Sequence, residues 1–107
     1  MLLASGALFR ILADPTRRAL FERLARTDEL TVRELTARAG VSQPAVSQHL
    51  AVLKAAGLVA ERRDGRLTHY RARPQALRRL VDWLAMYGTF WSDRLDRLEI
   101  LLKEVDA

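Results

Sequence analysis

The chain has 107 residues, half of them apolar, and a formal net charge of +5 at pH 7. Its length fits a single domain, residues 1–107, and its basic balance favours a polyanionic partner such as nucleic acid or an anionic membrane surface. The absence of cysteine excludes disulfides, thiolate metal sites and cysteine nucleophiles, and it fits a reducing cytoplasm.

Two helices are predicted at the start of the chain. The first, over about residues 2–13, has apolar side chains at helical spacing, namely Leu3, Ala7, Leu8, Ile11 and Leu12. Asp14 can cap the second, over about 15–26, with Pro15 at its first position and Ala19, Leu20 and Leu24 buried. Arg10 interrupts the apolar start, and no apolar run approaches ~20 residues, so we expect neither a signal peptide nor a membrane span.

A helix-turn-helix is predicted over residues 31–57. Thr31 and Glu34 have the spacing of a capping box, which begins a short helix that Gly40 ends. Ser42 can cap a second helix over residues 42–56, and Gly57 can end it in a left-handed conformation. Short helices joined by a glycine-containing turn are typical of DNA-binding helix-turn-helix motifs, although a generic helical hairpin has the same outline.

The second of these helices has two distinct faces. Val46, Leu50 and Leu53 form an apolar stripe that we expect to be buried. Gln43, Ser47 and Lys54 lie on another face, with the short polar side chains near the helix start. Such a surface fits the major groove of DNA, and an ordinary surface helix is the alternative.

A β-hairpin wing is predicted over residues 58–72. Asp64 and Gly65 separate two short runs of strand character, and Val59, Leu67 and Tyr70 are expected to face the core. Arginines cluster near the tip, where they would contact phosphates flanking the groove, and a solvated hairpin is the alternative. The predicted phosphate contacts are Ser42, Lys54, Arg62, Arg63 and Arg66.

One long dimerisation helix is predicted over residues 74–105. Apolar residues recur there at spacings of four and three, which is typical of a heptad seam, and a second, aromatic stripe holds Trp83, Tyr87 and Phe90. A helix of ~45 Å exceeds a domain with a radius of gyration of ~13 Å, so we expect a homodimer. Gly88 can break this helix or permit a close crossing, and the pattern leaves open which stripe meets the partner. The predicted interface residues are Leu3, Leu8, Leu84, Trp91, Leu95, Leu98 and Leu102.

Three sequence strings resemble the ArsR/SmtB family of winged-helix bacterial repressors. They are ADPTRRALFERLA (13–25), TVRELTARAGVSQPAVSQHLAVLKAAGLVAERRDGR (31–66) and HYRA (69–72). The resemblance implies a mainly helical winged helix-turn-helix fold with four helices, a two-stranded β-hairpin wing and a long fifth helix, the first and fifth helices lying in a dimer interface. It also implies a homodimer that represses transcription from a palindromic operator in double-stranded DNA, with base contacts from Gln43, Ser47 and Gln48. Pro44 has no donor for a base hydrogen bond.

Metal sensing and catalysis are not expected. Family members that sense metals use cysteines, or an Asp and histidines on the terminal helix, whereas this chain has only His49 and His69. The terminal string VDWLAMYGTFWSDRLDRLE (81–99) resembles a subgroup of the family that carries no metal-binding cysteines. We expect no metal and no cofactor. Acids of the terminal segment alternate with arginines, as on a solvated ion-pair face rather than in an enzyme site.

Two alternative functions stay open from the sequence. The first is a winged-helix protein-interaction module, against which the arginine-rich wing argues. The second is a repressor that senses a small-molecule inducer, an organic ligand bound at the dimer interface among Trp83, Tyr87, Phe90 or Trp91, where ordinary packing is the simpler interpretation.

Overall fold

The computed structural model describes residues 5–106, with side-chain environments given for residues 6–105. Its elements in chain order are α1 (Ser5–Ala13), α2 (Pro15–Ala25), β1 (Leu30–Thr31), α3 (Val32–Ala37), α4 (Gln43–Ala55), β2 (Val59–Asp64), β3 (Leu67–Ala72), a 3-10 turn (Pro74–Leu77), α5 (Arg78–Ala85) and α6 (Gly88–Asp106). The strands form one antiparallel sheet in the order β1-β3-β2. The architecture is the predicted winged helix-turn-helix, with one short strand more than expected.

Side-chain caps begin the helices that position the helix-turn-helix. Asp14 Oδ1 accepts a hydrogen bond from the amide of Arg17 at 2.8 Å, which starts α2. Thr31 and Glu34 make both bonds of a capping box: the Glu34 amide donates to Thr31 Oγ1 at 3.1 Å, and the Thr31 amide donates to Glu34 Oε1 at 3.0 Å. These bonds satisfy amides that a helix start leaves without partners, so the predicted starts are confirmed.

One apolar core packs the four helices α1, α2, α3 and α4 against the sheet. Leu20 and Leu24 are buried as predicted, whereas Ala19 is exposed, because at ~100° per residue it lies on the opposite side of α2. Leu8 is 1% exposed and belongs to this core, so it has no surface to offer a partner chain, contrary to the prediction. Leu3 lies outside the described residues. The buried core residues are Leu8, Leu20, Phe21, Leu24, Leu35, Val46, Leu50, Leu53, Leu58 and Val59.

The sheet is built around β3. Leu30 of β1 pairs with Tyr70, and Val59 of β2 pairs with Ala72. Val59 is buried and Tyr70 is half-buried, as predicted, but Leu67 is 53% exposed. Side chains alternate between the two faces of a strand, so Leu67, three residues before Tyr70, must lie on the opposite face.

The predicted long terminal helix is divided. After the 3-10 turn, α5 packs on α1 through an edge-to-face contact between Phe9 and Trp83, with ring centroids 5.3 Å apart. The chain then tightens where the Tyr87 amide donates to the Leu84 carbonyl at 3.0 Å, an i to i+3 bond, and α6 begins at Gly88. Gly88 has no left-handed φ, so the interruption does not depend on glycine freedom at this position.

Helix α6 extends beyond the rest of the domain. The radius of gyration is 17.8 Å, well above the ~13 Å of a compact chain of this length, and the longest dimension is 59 Å. Every residue from 81 to 105 is exposed, including the apolar ones. Within residues 5–106 no helix combines the length and apolar character that crossing a bilayer requires.

Candidate nucleic-acid interface

Helix α4 has a buried back and an exposed polar front. Val46, Leu50 and Leu53 are fully buried, which fixes the rotation of the helix about its axis. The three predicted base-contacting side chains, Gln43, Ser47 and Gln48, are all exposed on its first two turns. The N-terminal part of a recognition helix is the part that reaches base edges in the major groove.

Both ends of α4 are fixed by local hydrogen bonds. At the start, Ser42 Oγ accepts from the Ala45 amide at 3.3 Å, which leaves the hydroxyl hydrogen available to another acceptor. At the end, the Leu58 amide donates to the Leu53 carbonyl at 2.9 Å and the Gly57 amide donates to the Lys54 carbonyl at 2.9 Å. With Gly57 at φ +78°, these bonds form a Schellman motif, which directs the chain from α4 straight into β2.

The wing tip is a two-residue turn centred on Gly65 and Arg66. Asp64 pairs with Leu67 across the turn, and Gly65 has φ +62°. A left-handed φ at the first central residue alone is the pattern of a type II′ turn. The turn lies one residue later than predicted, so Arg66 is in the turn itself rather than in a strand.

The wing tip and the start of α4 share one cleft. It has a volume of about 210 Å³, and both Gln43 and Arg66 line it. Arg33 of α3, which is not among the predicted DNA contacts, also lines this cleft. Arg33 could have been predicted as a phosphate contact from the sequence, because the first helix of a helix-turn-helix crosses the DNA backbone. The cleft thus brings a candidate base reader and two cations together.

Lys54, a predicted phosphate contact, is held by a carboxylate. Its Nζ lies 2.6 Å from Glu61 Oε1, and the Tyr70 hydroxyl donates to Glu61 Oε2 at 3.1 Å. The hydrogen bond from Lys54, and then that from Tyr70, lower the pKa of the Glu61 carboxyl. Burial, followed by the bond to Glu61, raises the pKa of Tyr70. This group links the last turn of α4 to the wing.

Arg62 is held in the same way on the other face of the wing. Its Nε donates to Glu29 Oε2 at 3.2 Å and its Nη2 donates to Glu29 Oε1 at 2.8 Å. The bond from Arg62 lowers the pKa of Glu29. By contrast, Arg63 and Arg66 have no ion-pair partner within the described part of the chain.

The two histidines are not part of a larger ligand cluster. His49 lies partly buried on α4, and His69 lies partly buried on β3, paired with Arg62 and Thr31 in the sheet. Over residues 5–106, no three His, Asp or Glu side chains come close enough together to hold a metal ion.

The terminal helices carry exposed apolar side chains. Leu84, Trp91, Leu95, Leu98 and Leu102, all predicted for the dimer interface, are 44–58% exposed. Where α5 meets α6, a groove of about 390 Å³ is lined by Trp83, Tyr87, Phe90 and Trp91. The structure therefore brings members of both predicted stripes to one surface.

The chain is similar in sequence and in structure to known proteins. Residues 12–62 match the model of a helix-turn-helix domain. The HTH-type transcriptional regulator Rv2034 of Mycobacterium tuberculosis is 50% identical over 81 residues, which cover 76% of this chain and 75% of that protein. The solved ArsR-like transcriptional regulator from Rhodococcus sp. RHA1 is 31% identical, with a TM-score of 0.68 over 90% of each chain. The chain belongs to the ArsR/SmtB family.

Members of the ArsR/SmtB family are regulators of transcription rather than enzymes, which agrees with the expectation from the sequence. The Arsenic resistance transcriptional regulator ArsR1 of Pseudomonas putida is 42% identical over 74 residues, 69% of this chain. The chain spans 58% of the length of that ArsR/SmtB relative. That relative is named for arsenic resistance, so the predicted subgroup without metal ligands stays a prediction.

Proposed function

We propose that this chain is a homodimeric, sequence-specific DNA-binding regulator in the cytoplasm that represses transcription from a palindromic operator. Gln43, Ser47 and Gln48 would read bases, and Arg63 and Arg66 would bind phosphates. Ser42, Lys54 and Arg62 are further phosphate contacts in this proposal. No metal or cofactor takes part, because the chain lacks the cysteines and terminal-helix histidines of metal-sensing relatives.

The observation that carries the proposal is the shared cleft between α4 and the wing. Helix α4 has one buried apolar face and one exposed polar face. Gln43 at the start of this helix lines the same cleft as Arg66 at the wing tip. Base edges give sequence information and phosphates give position and affinity, so a reader beside a cation suits a duplex. Arg63 and Arg66 make no ion pair within the described residues, which favours a polyanionic partner over a protein surface.

The uncovered terminal helix supports the homodimer. Apolar side chains along α6 are about half exposed, among them Leu95, Leu98 and Leu102. Exposed apolar surface of this extent marks an interaction site, and a second copy of the same helix offers matching surface. A two-fold axis through that contact would place two α4 helices on half-sites about one turn, roughly 34 Å, apart.

Fluorescence anisotropy with labelled DNA from upstream of the protein's own gene tests this function. We expect binding that falls steeply with salt and that is weaker for shuffled DNA of the same composition. Arg66→Ala should weaken binding, whereas Arg26→Ala, which lines a different cleft at the end of α2, should not. Equal binding to both DNAs would contradict sequence-specific regulation, and no binding at all would favour the protein-interaction module.

The aromatic groove supports a second candidate, a repressor that senses a small apolar or aromatic ligand. Its four lining side chains, Trp83, Tyr87, Phe90 and Trp91, are exposed. Indole is a suitable first probe, and isothermal titration calorimetry measures its binding, because indole fluoresces like tryptophan and would mask the emission of Trp83 and Trp91. This candidate requires loss of operator binding over the same range of indole; binding without that loss would show a ligand site that does not control DNA binding.

A further inference from the structure

We propose that Glu29 and Glu61 set the DNA affinity of this chain by competing with phosphates for Arg62 and Lys54. The inference rests on the proposed DNA-binding function and deepens it. It separates the predicted phosphate contacts into cations that are available to DNA, Arg63 and Arg66, and cations that a carboxylate already holds.

The contact between Glu29 and Arg62 has the geometry of a specific pair. Two parallel hydrogen bonds, 3.2 and 2.8 Å long, join the guanidinium to both carboxylate oxygens. The two residues are 33 positions apart, so only the folded sheet brings them together. Glu29 also has the less exposed side chain of the two, 29% against 53%, which keeps the carboxylate fixed while the cation reaches outward.

The contact between Glu61 and Lys54 is fixed by a third group. Glu61 pairs with Tyr70 in the β2–β3 ladder, and the Tyr70 hydroxyl donates to the oxygen of Glu61 that Lys54 does not hold. Two donors therefore keep this carboxylate beside the last turn of α4. The lowered pKa of Glu61 and that of Glu29 mean that both carboxylates stay charged near neutral pH.

Alternation along β2 explains why the neighbouring arginines differ. Arg62 and Arg63 point to opposite faces of the strand. Arg63 shares its face with Glu61, which contacts Lys54 of α4, whereas Arg62 shares its face with the cross-strand partner His69 and with Glu29. Arg62 is thus on the face away from α4, and its carboxylate partner is on that face too.

Counterion release gives this arrangement a measurable consequence. A cation that binds a phosphate exchanges small ions, and each such exchange adds about 0.9 to the slope of log K against log salt. A cation neutralised by a fixed carboxylate adds little unless the carboxylate gives it up. Pairs this exposed are weak, so replacing either carboxylate should leave the fold intact. Glu61→Gln releases Lys54, and Glu29→Gln leaves Arg62 only a longer contact with Asp64, from Nη1 to Oδ2 at 3.9 Å.

The test compares Glu29→Gln and Glu61→Gln with the wild-type protein in anisotropy titrations across a range of salt concentrations. We expect each variant to bind DNA about two- to fivefold more tightly at about 0.15 M salt, with a slope steeper by up to about 0.9. Asp28→Asn is the matched control, because it removes the same charge one residue from Glu29 but breaks no ion pair of the described residues. Its affinity and slope should stay close to wild type.

A double-mutant cycle shows whether Glu29 acts through Arg62. In an Arg62→Ala background, Glu29→Gln should no longer tighten binding, whereas a general charge effect would persist. Weaker binding by Glu29→Gln, or a gain no larger than that of Asp28→Asn, would overturn the inference while leaving the proposed function standing. If the wild-type protein binds no DNA, the proposed function fails and this inference fails with it.

Discussion

Gln43 and Arg66 line one cleft, yet they are expected to affect DNA binding differently. Arg66→Ala should weaken binding to every sequence by a similar factor and lower the salt slope by about 1, because a phosphate contact carries no sequence information. Gln43→Ala should cost about 1–3 kcal/mol on the operator and little on random DNA. Anisotropy with the operator and its single-base variants separates the two. If Gln43→Ala weakens binding to every DNA sequence by the same factor, Gln43 contacts the DNA backbone rather than a base.

At Glu34, the folded state stabilises a charged carboxylate. Hydrogen bonds from the Thr31 amide and hydroxyl lower the pKa of Glu34 below its ordinary value of 4.5. A lowered folded pKa gives stability that is present above the ordinary value and is lost as pH falls through the folded one. Urea unfolding below about pH 5 should therefore show a shallower loss for Glu34→Gln than for wild type. Asp28→Asn, at an exposed residue whose side chain makes no hydrogen bond or ion pair within the described residues, is the control and should lose stability as wild type does.

At the scale of elements, the end of α4 depends on one glycine conformation. Gly57 has φ +78°, and an added Cβ would meet no atom within 4 Å. Gly57→Ala should therefore cost about 1–2 kcal/mol through backbone strain alone, since no clash contributes. Gly88→Ala is the matched control, because Gly88 also has open space but no left-handed φ. Gly88→Ala should leave the free energy of unfolding unchanged or raise it by up to ~1 kcal/mol. Urea titrations of both variants and of the wild-type protein measure these changes.

Elements that depend on neighbouring residues were predictable from the sequence. The capping box of Thr31 and Glu34, the cap at Ser42 and the glycine end at Gly57 are local hydrogen-bonding patterns, and the structure has all of them. The exposure of Leu67 could also have been predicted, because Leu67 lies three residues before Tyr70 and strand residues an odd number apart lie on opposite faces. The outline of the candidate site, α4 followed by a basic wing, follows from the same local signals.

Contacts between distant residues were not predictable in the same way. Strand β1 is two residues long and exists only because Leu30 and Thr31 pair with β3. The closer carboxylate partner of Arg62 is Glu29, which precedes β1, so this pair forms only after the sheet assembles. Sequence spacing therefore predicted a basic wing but not which of its cations would be held by carboxylates.

For the whole molecule, a substitution on α6 should separate folding from assembly. Leu98 is 50% exposed, so Leu98→Glu removes no contact of the core but places a charge on the surface proposed for the partner. We expect a monomer by size-exclusion chromatography with light scattering, and a loss of about 10²-fold or more in affinity for an inverted repeat. Arg97→Gln, on the adjacent position, should remain dimeric. A Leu98→Glu dimer with normal affinity would show that the interface lies elsewhere.

The exposed apolar side of α6 also makes the assembly of the chain depend on its concentration. A helix without tertiary contacts is only marginally stable in water, because packing of its apolar side supplies most of the stability of a protein helix. In the proposed dimer that packing exists only after two copies meet, so helix formation and assembly obey one mass-action equilibrium. The concentration of dimers able to span both half-sites then rises more steeply than the concentration of chains, which makes protein dosage itself an input to regulation.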